Sequence, residues 1–108
     1  MKIHTIGIDL GKTSFHLAGL SERGDVVVRK RFSRAQLLRF TANRKVHVIG
    51  MEACGGAHYL GRALQEQGHE VRLIPAQYVK PYVKTNKNDY VDAEAIAEAV
   101  VRPTMLEQ

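Results

Sequence analysis

"IGIDLGKTSFHLAGL", residues 6 to 20, sets Asp9 near the end of an apolar run, then places Gly11-Lys12-Thr13 before a second apolar run. Residues 3–10, "IHTIGIDL", alternate or run apolar with β-branched side chains, and so do "SFHLAGL" (14–20) and "DVVVRKRF" (25–32). Such patterns predict strands. Gly11-Lys12-Thr13 and Ser21-Glu22-Arg23-Gly24 are short links, Gly24 supplying a permissive backbone, so the three strands form an antiparallel meander.

After Phe32 the rhythm changes. Ser33 is a plausible N-cap for a helix in "RAQLLRFTAN", where Leu37, Leu38 and Phe40 give a short apolar face. "VHVIGM" (46–51) reads as a buried strand, and "GGAHYLGRALQEQG" (55–68) as a helix burying Ala57, Leu60, Ala63 and Leu64 and ending at Gly68. "EVRLI" (70–74) is a fifth strand closed by Pro75, and "NDYVDAEAIAEAVV" (88–101) is a last helix stopped by Pro103. The order βββαβαβα calls for a mixed five-stranded sheet, its later strands parallel, with helices on both faces and a polar, lysine-bearing loop before the last helix.

The 108 residues hold one domain and are too few for a two-lobed enzyme. Sixteen Lys and Arg against eleven Asp and Glu give a net charge of +5, which favours a polyanionic partner. The charge is segregated. No acid occurs from Val26 to Met51, where Arg29, Lys30, Arg31, Arg34, Arg39, Arg44 and Lys45 fall, nor from Val71 to Asn88, which carries Arg72, Lys80, Lys84 and Lys87. One cysteine, Cys54, excludes an internal disulfide and fits a reducing cytosol. No apolar run approaches the roughly 18 residues of a membrane span, and the N-terminus lacks the form of a signal peptide.

The acids beside the basic stretches need a reason. Asp9 lies in what the topology makes the central strand, where an unpaired charge is expensive. Glu52 directly follows the fourth strand. Parallel neighbours present their carboxyl ends on one edge of the sheet, where open α/β sheets bind ligands. At about 100° per residue, Asp89 and Asp92 share the apolar side of the last helix with Ile96, Ala99 and Val100, while Glu94 and Glu98 turn away. First-turn acids also complement a helix dipole, but that role does not explain their facing. Ionised neighbours about 4 Å apart repel by roughly 4 kcal/mol at an effective dielectric near 20. A divalent cation among Asp9, Glu52, Asp89 and Asp92 removes the conflict, and oxygen-only ligands suit one or two Mg²⁺ or Mn²⁺ ions of the kind that serve phosphodiester chemistry.

Gly11-Lys12-Thr13 ends like a Walker loop, but Ile6 stands where that pattern needs glycine, and a strand follows where it needs a helix. "GIDLGKT" also looks like the first phosphate motif of the actin, sugar-kinase and Hsp-seventy ATPases, which need two such domains and give no role to Asp89 and Asp92. "IGIDLGKTSFHLAGL", "VIGMEACGGAHYLGRALQEQGHEVRLI" and "KTNKNDYVDAEAIAEAV" together resemble the amino-terminal RuvC-like, RNase H-type domain of the DEDD transposases, the insertion-sequence recombinases of the one-ten type and relatives of the pilin-gene inverting recombinases. The resemblance covers nearly the whole chain, and Asp9, Glu52, Asp89 and Asp92 fall in order on the four positions of the family motif.

That resemblance implies a metal-dependent DNA recombinase that carries out transposition of a mobile element in the bacterial cytoplasm, at the nucleoid. A structured non-coding RNA as guide for target and donor DNA is implied too, as is assembly into homo-oligomers. Residues 1–102 would be the RuvC-like domain, and 103–108 a tail leading to a C-terminal domain that bears a serine nucleophile. Ser14, Ser21 and Ser33 do not match that serine, so the domain is expected to bind metal and nucleic acid without completing strand exchange alone. A stand-alone RuvC-like junction nuclease, a nucleotide-binding half-domain and an assembly and RNA-binding module remain the alternatives.

Lys80, Lys84 and Lys87 flank Tyr78, Tyr82 and Tyr90, a mixture of cations and rings that suits phosphates and exposed bases; Lys84, Lys87 and Tyr82 in particular are assigned to nucleic acid with Lys80. Lys12 either touches a phosphate near the metals or neutralises Asp9. Arg29, Lys30, Arg31 and Arg34 have a simpler explanation as edge-strand charges that discourage pairing. Gly55 and Gly56 either admit a phosphate to backbone amides or relieve crowding. Cys54 and His58 lack a third orienting group and read as a buried small residue and a surface histidine, and the five histidines show no paired spacing for zinc.

Overall fold

The structure, a computed structural model, describes residues 2–85 and 88–102. Strands β1 (Thr5–Leu10), β2 (Phe15–Leu20) and β3 (Val26–Phe32) form the expected meander, followed by α1 (Arg34–Thr41), β4 (Val48–Glu52), α2 (Gly55–Glu66) and β5 (Val71–Ile74). The sheet order is β3-β2-β1-β4-β5, with β1 at the centre. The β1–β2 and β2–β3 pairs are antiparallel, whereas β1–β4 and β4–β5 are parallel. This is the mixed five-stranded α/β arrangement that the order of strands and helices demanded, and it fits the RNase H-like fold that the resemblance implies.

Local chemistry sets the helix boundaries. The Ser33 hydroxyl accepts from the Gln36 backbone N–H, and the Gln36 side chain accepts in return from the Ser33 N–H, a reciprocal cap that starts α1. Gly68, at φ +98°, takes the left-handed turn that releases the chain from α2 towards β5. Between β5 and the last helix the structure differs from the irregular loop expected. A short helix α3 (Ala76–Val79) and a 3₁₀ turn (Lys80–Tyr82) occupy it. Val79 is buried, and Tyr78 and Tyr82 pack on a core of Val48, Ile74, Ile96 and Val100, so apolar anchors fold a segment whose lysines suggested only a polar loop.

The last helix, α4, is Val91–Val100, shorter than expected at its N-terminus. The Asn88 side chain accepts from the Tyr90 backbone N–H at 2.7 Å, which makes residues 88–90 a turn that leads into the helix. Strand alternation sorts the two faces of the sheet. Ile6, Ile8, Ile49 and Met51 join Leu37 of α1 and Ala57, Leu60 and Leu64 of α2 on one side. Gly7 and Gly50, paired across β1 and β4, face α4 on the other. A Cβ on Gly7 would lie 2.5 Å from the Ala97 backbone nitrogen, and one on Gly50 would lie 2.8 Å from the Val100 Cβ. The glycine pair is a trough in which α4 lies directly on backbone.

Candidate metal centre and nucleic-acid face

The glycine trough fixes where the acids go. Asp9 and Glu52 each stand two residues beyond the Gly7–Gly50 pair, so strand alternation turns both to the α4 face at the carboxyl edge of adjacent strands. Neighbouring strands are about 4.8 Å apart. Both side chains are partly buried. Asp92 is in the first turn of α4, one residue before Ala93, which lies against Gly7. It shares a face with Ile96 and Ala99, as expected, but remains exposed because the helix end projects past the sheet residues that cover the later turns.

Asp9 records this crowding. Burial, and after it the negative charge of Asp92, push its carboxyl above the ordinary value of 3.8, against a smaller opposing pull from His16. Asp89 is not on the helix face where the wheel placed it; it is an exposed residue of the turn before α4. Among the described residues, no group of three or more His, Cys, Asp or Glu side chains is gathered closely enough to hold a metal ion. The structure thus brings Asp9 and Asp92 together and sets Glu52 beside Asp9 by register, with Asp89 outside that set.

Three other acids, Glu94, Glu98 and Glu70, behave differently. Glu94 pairs with Arg29 of β3, and its side chain is only 12% exposed, so it does not point into solvent as the helix wheel implied. The reason is that β3 carries a cation under the flank of α4. Glu98 is held by Lys84 at 3.1 Å and by Arg102 at 3.4 Å, and Glu70 by Arg72 at 3.5 Å. Among the described residues no lysine or arginine pairs with Asp9, Glu52 or Asp92. Asp9, Glu52 and Asp92 are thus uncompensated at the edge where a cation would fit, whereas Glu66 of α2, also without an ion pair among the described residues, is an exposed acid at the end of its helix. The donors are all oxygen, and a cation beside Asp9 would oppose both causes of its raised pKa.

His16 escaped the sequence reading. It is the cross-strand partner of Asp9, and the Tyr90 ring meets its imidazole edge-on with centroids 5.3 Å apart. The short hairpin link held the signal, because fixing its register fixes which β2 residue opposes Asp9. In that link Gly11 donates to the Ser14 carbonyl at 3.0 Å, and a Cβ on Gly11 would meet the same oxygen at 2.6 Å. Gly11-Lys12-Thr13 therefore closes a hairpin.

The basic residues lie in separate segments, and only some of them are near this edge. Lys12 is exposed in the hairpin link, and Lys80 is exposed at the start of the 3₁₀ turn. Lys84 is exposed but engaged by Glu98, so the loop is not free of balancing carboxylates as its sequence suggested. Tyr82 is partly buried on the α4 core, with the Arg102 guanidinium 5.5 Å from its ring centroid. Lys87 lies outside the described residues. Cys54 is exposed rather than buried, because it precedes α2 at the open edge of the sheet. No described helix is long and apolar enough to cross a membrane.

The chain is similar to known proteins in sequence and in fold. The chain is 52% identical over 100 residues to the transposase for insertion sequence element IS1328 of Yersinia enterocolitica, covering 93% of this chain and 30% of that protein. It is 49% identical to a probable family 20 transposase of Pseudomonas aeruginosa (97% and 31% covered), and 47% identical to the transposase for insertion sequence element IS1111A of Coxiella burnetii (95% and 28% covered). The chain thus spans about 30% of the length of these relatives. In fold it is similar to Thermus thermophilus RuvC, described in complex with a Holliday junction substrate, with a TM-score of 0.67 at 14% identity over 92% of both chains. A glucokinase of the ROK family from Streptomyces griseus, in complex with glucose and AMPPNP, aligns with a TM-score of 0.50 at 15% identity, over 82% of this chain and 36% of that one. The family described as Transposase, the DEDD transposases of the IS110 type, matches residues 6–108, and the chain belongs to that family as its amino-terminal, RNase H-like domain.

Proposed function

We propose that this domain supplies the divalent-metal site and part of the DNA-binding surface of a transposase that moves an insertion sequence. The observation that carries the reading is the set of carboxylates Asp9, Glu52 and Asp92 at one sheet edge, without cationic partners among the described residues, while Glu70, Glu94 and Glu98 are all paired. Asp9 and Glu52, fixed on adjacent strands, would hold one or two Mg²⁺ or Mn²⁺ ions. Asp92 would close the site from α4, and Asp89 would join from the turn before it. Such an ion, when bound, activates an attacking oxygen and stabilises a leaving one in phosphodiester chemistry.

The chain's own residues then orient the nucleic acid. Lys12, exposed in the β1–β2 link that follows Asp9, would meet a phosphate; exposed Lys80, and Lys84 on exchanging Glu98 for a phosphate, would meet others farther along α4. Lys87 belongs to the same basic segment. DNA is the substrate, with a structured non-coding RNA as the guide, in the bacterial cytoplasm where the nucleoid lies. Strand exchange requires the full-length protein, in which a C-terminal domain supplies the serine and copies assemble into an oligomer.

Thermal unfolding tests the metal site. Millimolar Mg²⁺ or Mn²⁺ raises the melting temperature of the wild type by several degrees and that of Asp9→Asn or Asp92→Asn by much less, because an ion that binds only the folded state stabilises it. A wild-type curve unmoved by either ion overturns the site.

A further inference from the structure

The row of residues that begins at the acids continues across the sheet. Asp9 is paired with His16 of β2, and His16 with Arg31 of β3. Directly paired residues share a face, so Arg31 lies on the same side as Asp9, two strand spacings or about 10 Å away. Arg29 identifies the face independently. It stands two residues earlier on β3 and reaches Glu94 of α4. The helix lies over the row of Gly7, Ala18 and Arg29, whereas the row of Asp9, His16 and Arg31 lies past its first turn.

Arg29 and Arg31 therefore differ in role. Arg29 is held by a carboxylate of the fold. Arg31 is exposed, and among the described residues no carboxylate pairs with it. Beside it opens a shallow cavity of about 360 Å³, lined by Thr13, Ser14, Arg31, Phe32, Ser33 and Gln36. Three hydroxyls and a guanidinium around one cavity are donors matched to an anionic oxygen. An edge-strand charge that only discourages pairing has no need of hydroxyls from the β1–β2 link and the α1 cap.

We infer that Arg31, with the hydroxyls of Thr13, Ser14 and Ser33, is a phosphodiester subsite that holds a nucleic-acid strand at a linkage beyond the one at Asp9, and so sets the direction in which the strand crosses the carboxylates. This deepens the proposed function and rests on it for the position of the neighbouring linkage. A spacing of about 10 Å is on the order of one to two linkages along a strand, because successive phosphates turn about the axis as well as rising roughly 3.4 Å per step. The His16 imidazole, braced by Tyr90, forms the floor between the two ends.

The test is fluorescence anisotropy of this chain with a labelled oligothymidylate across a salt series, with Mg²⁺ or with a chelator. Arg31→Ala weakens binding about five-fold and flattens the salt dependence by about 0.7 in log–log slope, the loss of one single-strand phosphate contact. Arg39→Ala, which removes an equal charge from the exposed side of α1, leaves both near wild type, and Arg31→Lys retains most of the slope. Equal behaviour of the Arg31→Ala and Arg39→Ala variants overturns the subsite. Arg31→Gln, with its melting temperature measured alongside, guards against a folding defect: a folded variant with wild-type affinity also overturns it. Loss of binding in Arg31→Ala with no Mg²⁺ effect on the wild type would sink the metal site and leave the subsite standing, whereas a strong Mg²⁺ effect with an unaltered Arg31→Ala would do the reverse.

Discussion

Asp9 is the residue on which burial and charge act in opposition to folding. Its folded-state pKa is raised, so the fold prefers the protonated form. Its contribution to stability is therefore fully present below the unfolded value of 3.8 and is lost as pH rises through the folded pKa. Without metal at neutral pH, Asp9→Asn should melt above the wild type, and the difference should shrink as the pH is lowered towards 3.8. Chemical or thermal denaturation in a chelating buffer at several pH values checks the sign. Added Mg²⁺ should narrow or reverse the difference, since the wild type alone has the carboxylate that would hold the ion. Glu94 is the contrasting residue. Its charge is compensated by Arg29, so Glu94→Gln should leave the Mg²⁺ response of the melting temperature unchanged while removing the ion pair across β3 and α4.

At the scale of elements, α4 is the part on which the site depends. Its approach to the sheet is set by absent side chains at Gly7 and Gly50, and Ala93 and Ala97 keep the helix surface equally low. Gly7→Ala would force the helix off the strand, because the new Cβ would meet backbone rather than a movable side chain. A destabilisation of about 3 kcal/mol, at the upper end for overpacking, is expected from denaturant unfolding. Because Asp92 rides on the same helix, any folded Gly7→Ala protein should also lose most of its Mg²⁺-induced stabilisation. The cap of α1 is a smaller matter. Ser33→Ala should reduce stability by about 1 kcal/mol by the same measurement, with the metal response intact.

Across the whole molecule, exposed cations come from separate elements: Lys12 from the β1–β2 link and Arg31 from β3, on the side of the sheet edge that carries Asp9, and Lys80 from the 3₁₀ turn, whose neighbours Tyr82 and Lys84 meet Arg102 and Glu98 towards the end of α4. Nucleic-acid affinity should consequently depend on residues far apart in the chain. Replacing Lys12 and Lys80 together with alanine should lower oligonucleotide affinity and flatten its salt dependence by about one to two units of slope, whereas Lys84→Ala alone should act less, because Glu98 already engages that ammonium. Anisotropy titrations at several salt concentrations separate these outcomes.

The sequence by itself determined the order of strands and helices, the meander, the caps at Ser33 and Gly68, and the candidacy of Asp9, Glu52 and Asp92. These follow from short-range patterns: apolar periodicity, turn residues, and an acid at the end of an apolar run. Only the tertiary structure decided that Asp89 stands before the helix, that Glu94 is paired, that Tyr78 and Tyr82 anchor a segment read as loop, and that His16 and Arg31 continue the row from Asp9. Each of these depends on which residues meet across strands or beneath a helix. Such meetings are fixed by pairing register and by the close approach of α4 over Gly7 and Gly50, quantities that no local window of sequence contains.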